Sequence, residues 1–257
     1  MINTPFRLGA LFAVLLLLVY FGFHTVSPDI RQASESRDGK LEITGFENIE
    51  RAVFQKLTTN QKAELEQLNK QLGQSANEPE KLELLKKMSG FWYDLNEFAL
   101  TDSYAQKVAV LEKTDTAWQI AGTTFLYGLE GDSDIKTKQF CQQSALHCLE
   151  QAISIKPNEP AYQIYQAMAY VKLPGEEPMK GIKMLLSLEA KFPEYNPLQL
   201  QLVELGIQTG QFEKAKSRLE NVLAKTPENP RANCLMIEVL HQLKQIELID
   251  KYKVYCK

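Results

Sequence analysis

The sequence predicts an all-α protein: an α-solenoid of antiparallel helix pairs behind an N-terminal transmembrane helix. Three observations predict it. The endings "AISIKPNEP", "AKFPEYNP" and "AKTPENP" place Pro157, Pro193 and Pro227 at intervals of 36 and 34 residues, a period that marks stacked helical repeats. From Phe46 onward, apolar residues recur at the spacing of one helix face. Leu8 to Phe23 is an uncharged apolar run, which His24 to Val26 can extend.

Composition narrows the function classes. A chain of 257 residues with 44% apolar residues can bury a sizeable core. A net charge of −3 without a clustered basic stripe argues against nucleic acid as a partner.

In order along the chain, residues 1–7 form an N-terminal tip carrying Arg7, and residues 8–26 form the anchor. The run is near the lower length limit for crossing about 30 Å of hydrocarbon. "FGFHTVSPD" lacks a strong small-residue cleavage pattern, and no cysteine follows that could carry a lipid. An uncleaved anchor in the lipid bilayer is therefore expected, oriented N-in because Arg7 and the amine precede it. In a bacterial cell that topology makes a single-pass inner-membrane protein with its later residues in the periplasm, where disulfides are permitted.

Residues 27–45 read as a flexible linker, rich in Ser, Asp and Arg without sustained periodicity. Residues 46–113 read as N-terminal helices. Phe46, Ile49, Val53 and Leu57 share one face, and Leu65, Leu68 and Leu72 continue a similar stripe. "TTNQ" at 58–61 matches a capping box and divides that stripe into two helices. The second is either a short coiled coil with another chain or a helix packed on the following domain. Leu82, Leu85, Met88, Phe91, Trp92, Leu95 and Phe98 mark the next helix; Asp102 or Ser103 is expected to cap its partner, which carries Ala105, Val108, Ala109 and Leu111. The two form a candidate degenerate repeat.

Residues 114–257 are expected to form the repeat domain with a C-terminal capping helix. Trp118, Ala121, Gly122 and Phe125 begin the clearest helix-turn-helix unit, and Ala145, Leu149, Ala152 and Pro157 complete it. This pattern resembles the tetratricopeptide repeat family, whose small residues allow helices to cross closely while large ones fill the space beside them. "LEGDSDIKTKQF" lengthens this unit, as a loop insertion or an extended second helix. The next unit keeps Ala167, Tyr170, Gly181, Leu185, Leu188 and Pro193. The third keeps Leu202, Gly210, Phe212, Ala215, Leu219, Val222 and Pro227, but has Val203 and Gly206 where its first helix should carry a small residue and an aromatic. "RANCLMIEVLHQLK" is one more first-type helix.

No catalytic motif emerges. The sequence has no Ser-His-Asp order, Walker loop or H-E-x-x-H, and Cys141, His147 and Cys148 have neither zinc nor haem spacing. The expected protein is not an enzyme and has no cofactor, metal or small-molecule substrate. Cys234 and Cys256 lie 11 residues either side of Gln245; an antiparallel hairpin turning near Lys244 and Gln245 would oppose them for a disulfide.

The family resemblance implies a protein- or peptide-binding groove on the first helices. By motif phase it comprises Gln119, Thr123 and Leu126; Ile164, Met168 and Val171; Leu200, Glu204 and Ile207; and Arg231, Glu238 and His241. The Lys/Arg/Asn clamp with which related proteins grip carboxylate tails is missing, since Gln119, Thr123, Tyr165, Pro197 and Gln201 stand there. Packing of N- or C-terminal helices into the groove is the alternative. The expected function is a membrane-anchored envelope scaffold, in assembly or chaperoning of exported proteins; a structural envelope subunit assembling through its N-terminal helices is the other reading.

Overall fold

The computed structural model describes residues 45–130 and 134–256. Two units divide the chain, Met1–Asn48 and Ile49–Lys257. Of the first, only residues 45–48 are described, entering helix α1 (Phe46–Phe54). The expected anchor, residues 8–26, and the expected linker apart from Gly45 lie outside the described residues. Among those described, no helix is long and apolar enough to cross a membrane.

Every regular element among the described residues is helical. Thr58 starts α2 (Thr59–Gln74) by a reciprocal capping box: its hydroxyl accepts from Gln61 N at 3.3 Å, while its own N–H donates to Gln61 Oε1 at 2.9 Å. That box keeps α1 and α2 separate. Leu65 is the buried anchor of α2, which packs on α3 (Glu78–Asp94) as a helix of the domain. Asn77 caps α3 by accepting from Glu80 N at 2.9 Å.

The expected cap at Asp102 or Ser103 is corrected. Helix α4 runs from Phe98 to Glu112, so both residues lie inside it and are buried. Ser103 donates to Ala99 O at 2.7 Å. A polar side chain caps only where the N–H groups two or three residues ahead are free, and here they already belong to the helix. Burial of Ala99 and Leu100 draws the helix start forward.

Thr114 caps α5 (Asp115–Tyr127), and Asp134 caps α6 (Ile135–Ile155) by accepting from Lys136 N and Thr137 N. The extra residues of this unit go largely into α6, which has 21 residues against 12 in α8 (Lys180–Lys191) and 14 in α10 (Phe212–Lys225). Helices α7 (Pro160–Lys172), α9 (Asn196–Gln208) and α11 (Pro230–Gln242) alternate with them. From α2 onward each helix packs on its sequence neighbours, and α5, α7, α9 and α11 also touch in succession, forming one layer.

The prolines define a junction built three times over. Second helices end two residues before Pro157, Pro193 and Pro227, and first helices begin three residues after them. Between, Lys156, Phe192 and Thr226 carbonyls accept from Glu159, Tyr195 and Asn229 N–H groups at 3.3, 3.1 and 3.1 Å. The proline carbonyls then accept from side-chain amides six residues on: Gln163 at 3.5 Å, Gln199 at 2.9 Å and Asn233 at 2.9 Å. Proline stops the helix because it lacks an N–H and its ring clashes with the preceding turn; the amide tie then fixes the angle at which the next helix departs.

Small residues set how closely the pairs approach. A Cβ at Gly122 would come within 2.7 Å of Leu149 Cγ, and one at Gly181 within 2.5 Å of the Ala167 carbonyl oxygen. In the third unit Val203 is buried, and a Cβ added at Gly206 would lie 3.5 Å from Ala215 Cβ, an ordinary contact, so this pair crosses less tightly.

The chain beyond α11 is too short for a full partner helix and closes the array with a truncated cap. Lys244, with φ of 58°, turns the chain, and Gln245 N donates to Leu240 O at 2.9 Å. The chain then forms a 3₁₀ turn (Ile246–Leu248) and the one-turn helix α12 (Asp250–Lys253). So short a run cannot sustain a helix by backbone bonds alone. Ile249 is buried in the α10–α11 core, and Cys234 is bridged to Cys256 with Cα atoms 4.8 Å apart.

Candidate functional site: a groove across the first helices

A groove of about 430 Å³ crosses α5, α7, α9 and the start of α11. Leu126, Tyr127, Tyr165, Met168 and Leu205 give it apolar surface; Thr123, Gln201 and Gln208 add polar groups. Its charges pair with each other. Lys172 bonds the Glu130 carboxylate, and Arg231 Nε donates to Glu204 Oε1 at 2.9 Å. Both pairs bridge neighbouring units, so they brace the layer while leaving the groove without an uncompensated charge.

Of the residues expected there, Thr123, Leu126, Met168, Glu204 and Arg231 line the groove. The others lie elsewhere. Ile164 belongs to the core with Ala167, Leu185, Leu188 and Leu198. Leu200 is buried beside Val203 and Ala215, with Ile207 against the same cluster. Val171 lies where it would meet a Cβ added at Gly181. Gln119 is half-buried one turn before Thr123, whose hydroxyl donates to its carbonyl at 2.9 Å. Glu238 and His241 are exposed on α11, away from the groove lining.

The displacement follows from helix rotation. Adjacent residues differ by about 100° around the axis. Ile164 and Leu200 are drawn into the helix interface by burial, which turns Tyr165 and Gln201 into the groove. Tyr165 and Gln201 already occupied clamp-comparison positions in the sequence; Tyr127, Glu130, Lys172, Leu205 and Gln208 carried no separate signal.

An aromatic row continues from the groove. The Tyr127 ring lies 6.1 Å from Phe98, which lies 6.0 Å from Tyr93. Both tyrosines are more than half exposed, at 56% and 57%. Such faces offer apolar area with little side-chain entropy to lose on contact.

Two polar clusters elsewhere have structural roles. Arg218 binds Glu189 and donates to Gln199 Oε1 at 2.9 Å, tying α8, α9 and α10 together. The Arg218 hydrogen bond holds the Glu189 carboxyl below its ordinary range. In the core, Cys141 and Cys148 are free and buried on α6, their thiols pushed up to about 12 by burial first and the Asp102 charge second. Burial alone raises the Asp102 carboxyl well above its usual range, and neither oxygen has a hydrogen-bond partner. Among the described residues, no cluster of three or more His, Cys, Asp or Glu side chains could hold a metal.

No family model and no curated protein matches the chain. The crystal structure of MamA protein is similar at 13% identity and a TM-score of 0.40, covering 70% of this chain and 91% of that one. The architecture rests on the helix pairs and their junctions.

Proposed function

We propose that this chain is a tetratricopeptide-type scaffold, held in a membrane by residues 8–26, whose helical domain faces the cell envelope and binds a polypeptide segment. It acts by binding and carries out no reaction. The observation that carries the reading is the groove over α5, α7, α9 and α11, with its aromatic and aliphatic surface and internally paired charges. Lys172 and Arg231 already have carboxylate partners, so the occupant is an uncharged, apolar stretch of protein and not an acidic tail. The uncharged run from Leu8 to Phe23 supports the anchor, and the charge order around it supports the orientation.

Cross-linking from intact membranes tests binding, with Met168→Glu as the probe. Met168 is half-buried at the groove surface. The variant should lose client capture while keeping its helix content by circular dichroism. Capture equal to wild type would overturn the groove assignment; retention in the pellet after carbonate washing tests the anchor separately.

A further inference from the structure

We infer that the Cys234–Cys256 bridge is a redox-operated latch on residues 246–256, closed when oxidised and opened by a dithiol reductant. The bridge spans 22 positions, joining α11 to the stretch just beyond α12. Both of its cysteines are half-buried, within reach of a reductant. Cys141 and Cys148 are enclosed and protonated, so neither supplies a thiolate to reshuffle the bridge.

Little besides the bridge holds this segment. Ile249 is buried and Tyr252 half-buried against the α10–α11 cluster, and Lys216 Nζ donates to Gln245 Oε1 at 2.8 Å. By contrast Ile246, Leu248, Val254 and Tyr255 are exposed. A cleft of about 380 Å³ lies between α10 and the Tyr252 and Tyr255 side chains, so the segment is only partly seated. Its two helical pieces span three and four residues, too short to persist alone. The covalent loop therefore supplies much of the restraint that keeps it docked.

The opening step balances through thiol–disulfide exchange. A dithiol's thiolate attacks one bridge sulfur, forming a mixed disulfide and releasing the other sulfur as a thiolate. The second thiol of the reductant then displaces the protein sulfur. Two electrons pass to the bridge, the reductant closes to its own disulfide, and the released protein sulfurs take up protons. Ile249 can then leave Met236, Val239 and Leu240, uncovering apolar surface on α11.

Hydrogen exchange with mass spectrometry on the full chain, before and after dithiothreitol, tests this. The Ile249 and Tyr252 amides donate to Ile246 O and Ile249 O at 3.2 and 2.9 Å and report on the segment. Their exchange should quicken on the order of a hundredfold on reduction, with α5 to α10 unchanged and protection restored by reoxidation. Cys234→Ser and Cys256→Ser should each exchange fast in both conditions. Unchanged exchange on reduction would show that packing holds the segment, and loss of protection throughout α9 to α11 would show a global staple; either overturns the latch. Thiol-blocking peptide mapping that finds both cysteines alkylated without reductant overturns it as well.

Discussion

Replacing Gly181 and Gly90 separately by alanine should shift stability in opposite directions, although both glycines lie in helices. At Gly181, second residue of α8, a Cβ would approach Ala167 O to 2.5 Å, Val171 Cγ2 to 2.7 Å and Val171 N to 2.8 Å. Two of those atoms are backbone of α7, so no side-chain rotation relieves the clash; α8 must move away from α7, loosening Leu185 and Leu188 in their core. Overpacking of this kind costs about 1–3 kcal/mol, against at most about 1 kcal/mol of helix propensity gained by replacing glycine. Gly181→Ala should therefore be a net loss of up to about 2 kcal/mol. Gly90 sits inside α3 with nothing within 4 Å of an added Cβ, so Gly90→Ala should gain about 0.5–1 kcal/mol. Gly122→Ala should also destabilise, because its closest contacts are Cγ and Cδ2 of the fully buried Leu149 at 2.7 and 3.0 Å, with the Ala145 carbonyl oxygen at 3.3 Å. Urea unfolding midpoints at constant m-value measure all three. An upward shift for Gly181→Ala, matching that of Gly90→Ala, would refute the close-crossing argument.

Asp102→Asn tests the buried carboxyl. Because its folded pKa is raised, wild-type stability should fall as pH climbs above the ordinary Asp range, by up to about 1.4 kcal/mol per unit until the folded pKa is reached. The asparagine variant should lack that slope, and parallel stability–pH curves would contradict it. Ala215→Leu, at a buried position in the α9–α11 core, should cost about 1–3 kcal/mol while exposed Lys214→Leu changes little; thermal melts compare them. Gln199→Ala removes the amide from the Pro193 carbonyl and an acceptor from Arg218, and should cost about 1–3 kcal/mol; an unchanged urea midpoint would show that the junction stands without its tie.

The junctions were the most legible part of the chain. Pro157, Pro193 and Pro227 announce helix ends because a missing N–H acts whatever the tertiary surroundings. Their partners Gln163, Gln199 and Asn233 each stand six residues downstream, a regularity visible once the prolines are aligned. Thr58 and Gln61 likewise signalled a boundary through a bond three residues long. Asp102 misled for the opposite reason: its type suits a cap, while burial of its neighbours extended the helix past it.

By itself, the sequence determined the helical class, the repeat period and the helix boundaries at Thr58 and at the three proline junctions, since these depend on apolar spacing and on local backbone and capping geometry. Only the tertiary structure decided which way each first helix turns. That rotation set Ile164 and Leu200 into the core and Tyr165 and Gln201 into the groove, and it joined Glu130 to Lys172 and Glu204 to Arg231. Such pairs lie 42 and 27 residues apart. Their meeting depends on helix rotation and interhelix distance, which the close contacts at Gly122 and Gly181 limit and which no local pattern of residues encodes.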